Sequence, residues 1–130
     1  MDVFSAPGLW VLPRLDLDEL IEAATAHDAI SVLLVISVND IASKVGLLER
    51  LAEACEAPGY ARPNWDSFDE WLRDLSWLPL GGRLIVLAGT DHYRLSDADG
   101  WSTLLAIATD AVSLHAAGPA PLWLVAVGRV

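Results

Sequence analysis

Asp66, Asp69, Glu70 and Asp74 stand at helical spacing in the sequence, with only Arg73 among them to offset their charge. Trp65, Phe68, Trp71, Leu72 and Leu75 interleave with them at the spacing of the opposite face, so the predicted helix has an apolar side and an acidic ridge. Paired carboxylates can act as general acid and base when their surroundings differ enough, and Asp66 with Glu70 is the candidate pair. Nothing else in the chain completes such a site: there is no nucleophile beside a base, no glycine-rich phosphate loop and no metal-ligand spacing. His27, His92 and His115 fall in separate predicted elements without a Cys or His at ligand spacing, and read as surface or capping residues. The run Gly89-Thr90-Asp91-His92-Tyr93 gathers a hydroxyl, a carboxylate and an imidazole, but adjacent side chains rarely converge on one point, and it reads as a loop. Cys55 is the only cysteine, which excludes an internal disulfide and a Cys-based zinc site and leaves packing as its role. The expectation is a protein that is not an enzyme and needs no cofactor.

The elements that must position the ridge follow from periodicity. Val32–Ile36, Leu84–Leu87 and Leu122–Val127 are continuous apolar runs, the pattern of strands covered on both faces in a parallel sheet. Leu47, Leu48, Leu51 and Ala52 predict a helix over about Ile41 to Cys55, closed by Pro58-Gly59. The acidic helix begins near Asn64, whose side chain can cap the first turn, and runs to about Trp77, before Pro79 and Gly81-Gly82. Asp97, Asp99 and Gly100 lead into a third helix from about Trp101 to Ala117. The pattern is β-α-α-β-α-β, a three-stranded parallel sheet packed with helices. Residues 1–30 read as an N-terminal extension packed on the domain of residues 31–130, with Pro7-Gly8 and Pro13 as breakers. An amphipathic helix near Leu17 to Ala26 is expected there, capped by Asp16 or Asp18. Trp65, Trp71 and Trp77 are assigned to packing, whereas Trp10 and Trp101 are open to exposure.

Composition bounds the partners. A chain of 130 residues makes one ordinary domain. Hydrophobic residues form 54% of it, yet the longest apolar stretch, Ala29 to Val38, falls short of the ~20 residues a membrane-spanning helix needs. The formal charge of −10 repels phosphate backbones and anionic lipid, which disfavours direct nucleic-acid or membrane binding. The same field speeds encounter with a basic partner, although solubility alone accounts for acidity equally well. Met1-Asp2-Val3-Phe4 lacks the basic segment and apolar core of a secretory signal, so the cytoplasm is the expected compartment.

The order Pro58-x-Tyr60-x-x-x-Asn64-x-Asp66, followed by an apolar residue and by Glu70 four positions after Asp66, resembles the loop and second helix of the barstar family, inhibitors of the ribonuclease barnase. The strand and helix order of residues 31–130 also matches that family, which has no counterpart to the first 30. The resemblance implies a bacterial immunity-type inhibitor, monomeric, that covers the active site of a basic extracellular-type ribonuclease or nuclease toxin. Its carboxylates would sit where RNA phosphates would lie, because an arginine cluster built for phosphate also accepts Asp or Glu. The barstar–barnase pair is itself the standard example of charge-steered association, so its magnitudes belong to that pair and are no forecast for this chain.

Carried over without gaps, Tyr60, Asn64 and Asp66 match family positions in type, and Glu70 keeps a charge one methylene further from the backbone. Asp69 replaces an interface tryptophan, Ala61-Arg62-Pro63 replaces a more open glycine-containing loop, and Asp110 matches a further interface acid. The expected partner-binding set is Tyr60, Asn64, Asp66, Asp69, Glu70, Asp74 and Asp110. The departures predict weaker binding to barnase than barstar shows. The competing reading is a fold relative that binds a non-nuclease or regulatory partner through the same face.

Overall fold

Two of the three continuous apolar runs become strands buried along nearly their whole length, β3 (Gly82–Ala88) and β4 (Leu122–Arg129), where only Arg129 is exposed. In the computed structural model, which describes residues 3–129, these two form the middle of the sheet. The third run, β2 (Ile30–Ser37), is an edge strand instead, and Val35 is left 41% exposed.

The sheet has four strands rather than the expected three. The additional one is β1 (Gly8–Arg14), within the first 30 residues, and the order is β1-β4-β3-β2 with all pairings parallel. Its register runs from Gly8 beside Trp123 to Leu12 beside Val127 and resumes with Arg14 beside Arg129. Pro13, which reads as a breaker, is accommodated because an edge strand has one side that donates no ladder hydrogen bond.

Helices cover both faces. On one side α1 (Leu17–Thr25) lays Leu20 and Ala24 over Leu84, Val86, Trp123, Val125 and Val127. Asp16, not Asp18, caps it, accepting from the Glu19 amide at 3.2 Å. Ahead of β1, a 3-10 turn at Val3–Ser5 receives a hydrogen bond from Trp123 Nε1 to the Val3 carbonyl at 3.0 Å. On the opposite side α2 (Lys44–Ala54), α3 (Trp65–Asp74) and α5 (Ala98–Ala116) bury Leu47, Leu51, Phe68, Trp71, Leu104 and Ala108 against Ile36, Ile85, Leu87 and Leu124.

Two local expectations are corrected. Of the run Gly89 to Tyr93 that reads as a loop, Asp91, His92 and Tyr93 lie instead in a short helix, α4 (Asp91–Ser96). Six residues are too few for a helical period to show in the sequence. Tyr93 is buried there, and its hydroxyl donates to Asp97 Oδ2 at 2.8 Å. Asp97 Oδ1 in turn accepts from the Gly100 amide at 3.1 Å, so α5 starts at Ala98, before Trp101. Trp101 consequently lies in the first turn and is 8% exposed, buried rather than free. Trp10, by contrast, is half-buried on β1.

Candidate functional site: an acidic helix and its locked loop

The charged face of α3 depends on how well the helix is anchored below. Phe68, Trp71 and Leu72 are each at most 2% exposed, and edge-to-face contacts link Trp65 to Phe68 and Phe68 to Trp71. Burying three such side chains fixes the helix rotation, which turns Asp66, Glu70 and Asp74 outward as one stripe at four-residue spacing. Asp69 lies beside that stripe, half-buried. Leu75, fully buried, ends the helix in a left-handed conformation (φ 52°), its amide donating to the Trp71 carbonyl. Glycine usually fills such a cap, so burial of the leucine side chain offsets the backbone cost.

The loop before α3 is held by its own polar groups. Asn64 Oδ1 accepts from the Ser67 amide at 2.8 Å, and Ser67 Oγ accepts from the Arg62 amide at 2.8 Å. Asn64 therefore serves the helix start with its side-chain oxygen. Arg62 folds back, with Nη1 donating to the carbonyls of Gly59 and Ala61, both at 2.9 Å. Its charge is tied to the loop backbone and makes no ion pair with the ridge. Trp77 Nε1 donates to the Cys55 carbonyl at 2.9 Å, joining the segment after α3 to the end of α2.

Tyr60 stands on this loop 42% exposed. Its phenol is pushed above the usual range, first by lost solvation and then by the negative charges of Asp74 and Glu70. Among the described residues, ion pairs join Asp40 to Arg50 and Asp91 to Arg94, and none involves Asp66, Asp69, Glu70, Asp74, Arg62 or Arg73. Asp110 is exposed on α5, which packs on α3 from the same side of the sheet, and makes no ion pair or hydrogen bond to the ridge.

Sequence reasoning missed Ser67, which looks like an ordinary helix serine. Its position three residues after a capping asparagine signals the bond from its amide to Asn64, while the part-buried link of its hydroxyl to the Arg62 amide had no signal in the sequence. The Asp66–Glu70 pair is exposed, and among the described residues no side chain is ion-paired to either carboxylate. Among the described residues no group of three His, Cys, Asp or Glu could hold a metal ion, and no helix is long and apolar enough to cross a membrane. His27 Nδ1 accepts locally from the Ala29 amide at 3.2 Å, whereas His115 Nε2 lies 2.8 Å from the Leu72 carbonyl and so joins α5 to α3.

With this geometry in view, comparison with protein families finds that the model described as barstar (barnase inhibitor) matches residues 31–126. The match begins in β2 and ends in β4, so it spans the loop, α3 and α5 but not β1 or α1. A comparison with curated proteins finds no match.

Proposed function

The chain belongs to the barstar family, and on that premise we propose that it inhibits a basic ribonuclease by laying α3 and the preceding loop over the enzyme's active site. Asp66 and Glu70 stand in for RNA phosphates, accepting charge-assisted hydrogen bonds from the arginines or lysines that would hold the substrate. Tyr60 borders them as a stacking or hydrogen-bonding neighbour, and Asn64 keeps the loop in register with the helix. Asp69 and Asp74 extend the negative field, with Asp110 adding to it from α5. The protein acts as a monomer in the cytoplasm, without a cofactor, shielding its producer from the nuclease.

The observation that carries this reading is the unpaired ridge. Carboxylates on one helix face repel one another, and the nearest cations in sequence, Arg62 and Arg73, pair with none of them. A partner with a phosphate-binding cluster supplies the missing positive charge and gains electrostatic steering from a protein of charge −10. Glu70 in place of a shorter side chain and the half-buried Asp69 in place of an aromatic alter a surface fitted to one enzyme. Barnase is therefore expected to be bound more weakly than by barstar; nanomolar or tighter inhibition would contradict that expectation.

The test is capture from lysate of the source organism by the wild type and by an Asp66→Ala, Glu70→Ala variant. A basic nuclease held by the wild type, released by salt and lost from the variant, supports the inhibitor. Capture of the same partner by both proteins, or of no basic nuclease, overturns it.

A further inference from the structure

Arg83, the second residue of β3, is a cation in a place that burial disfavours: it is 2% exposed and lies in register beside Leu122. Its Nε donates to the Pro79 carbonyl at 3.2 Å and its Nη2 to the Leu78 carbonyl at 3.0 Å. These bonds brace the turn between α3 and β3 but bring no negative charge, and among the described residues no carboxylate lies within ion-pair distance. Loss of solvent pushes the guanidinium below its usual range, while Asp74 draws it partly back. A buried charge without a counter-charge is costly, and guanidinium offers a planar fork of donors matched to a carboxylate.

Nη1 makes no hydrogen bond within the described chain. It is not sealed off either, because no buried side-chain nitrogen or oxygen among the described residues lacks a hydrogen-bond partner. Arg83 lines a cleft of about 250 Å³ together with Asp74, Leu80, Leu114, His115 and residues 118–120. Leu80 and Leu114 are 73% and 48% exposed, so the cleft has a cation in its wall and two apolar side chains open to solvent. The Nε2 of His115 is engaged with Leu72.

We propose that this cleft binds a carboxylate carried on a small apolar group, with a carboxylate oxygen on Arg83 Nη1 and the apolar part against Leu80 and Leu114. A short-chain organic acid has this chemistry, and so does the terminal carboxylate of a peptide ending in an apolar residue. Asp74 at the cleft and the overall negative charge oppose any anion, so binding is weak and needs the apolar contact to proceed. The site does not depend on the ribonuclease reading, since Asp74 alone is common to both surfaces.

The test follows ¹H–¹⁵N spectra of the full chain at constant ionic strength during titration with sodium butyrate, with N-acetyl-alanyl-leucine, and with the C-terminal amide of that dipeptide. Saturable shifts of the Arg83 Nε–H and of the Leu114 and Gly118 amides are expected with the two carboxylates and not with the amide. Leu114→Trp, at an exposed position that tolerates bulk, fills the cleft and abolishes saturation. Stronger binding of the dipeptide assigns the site to a chain terminus, and equal or stronger binding of butyrate assigns it to a free acid. Shifts that stay linear, that the amide reproduces, or that survive in Leu114→Trp would overturn the proposal.

Discussion

Acids in two regions of this protein are treated differently. At the carboxyl ends of β2 and β3, Asp40 meets Arg50 at 2.9 Å and Asp91 meets Arg94 at 3.1 Å. Arg50 also donates to the Ser37 carbonyl at 2.9 Å, so that pair closes the connection from strand to helix, and its hydrogen bond holds the Asp40 carboxyl below the usual range. On α3 and the loop before it the arginines go elsewhere. Arg62 is spent on loop carbonyls, and among the described residues Arg73 makes no ion pair and the carboxylates stay open. Acids whose charge is already matched have their partner within the fold, whereas acids left unmatched on an anchored helix are available to another molecule.

The largest expected effect separates the two regions directly. Asp66→Ala with Glu70→Ala should weaken nuclease binding about 30-fold or more, following the roughly 2–5 kcal/mol lost when one side of a buried charge pair is truncated. Asp40→Ala with Asp91→Ala should leave affinity within a factor of about 3, as expected for charges outside an interface. Calorimetry on the captured nuclease measures both, and equal losses would dissolve the distinction.

Support beneath the ridge can be broken without touching a carboxylate. Ser67→Ala leaves the Arg62 amide without its side-chain acceptor, at a cost of about 0.5–1.5 kcal/mol in urea unfolding. If a locked loop matters for binding, this variant should also dissociate faster from the nuclease while keeping the same net charge.

Alkaline pH probes the buried groups rather than the ridge. Burial raises the Cys55 thiol from 9.0 to about 12, so above pH 9 the unfolded chain releases a proton that the folded chain keeps. Stability from this source is complete below pH 9 and is lost as pH rises towards 12, by about 1.4 kcal/mol per pH unit. Tyr93, also raised by burial and by its bond to Asp97, adds a loss of the same sign above about 10. Urea melts from pH 8 to 11 should show the decline, and Cys55→Ala should remove the part that begins at pH 9.

The smallest effects concern the cap. Asn64→Ala should cost about 1 kcal/mol of stability, while Asn64→Asp, which keeps an acceptor and adds a negative charge at the helix start, should restore most of it. The same measurement on Asp40→Ala should show little change, because exposed pairs contribute little.

The sequence by itself determined the three strands with continuous apolar runs, the two faces of α3 and the cap at Asn64, because each rests on side-chain spacing or local backbone hydrogen bonding. It also carried the loop-and-helix order that the family match supports. It did not yield β1, whose flanking Pro7-Gly8 and internal Pro13 look like interruptions until an edge position makes them tolerable. Nor did it yield α4, too short for a period to appear, or the burial of Trp101 that follows once α5 begins at Ala98. The pairing of charges was equally hidden. Whether an arginine meets a carboxylate or a carbonyl depends on where distant segments bring their backbones, as with Ser37 beside Arg50 and Leu78 beside Arg83, and only the tertiary structure decides that.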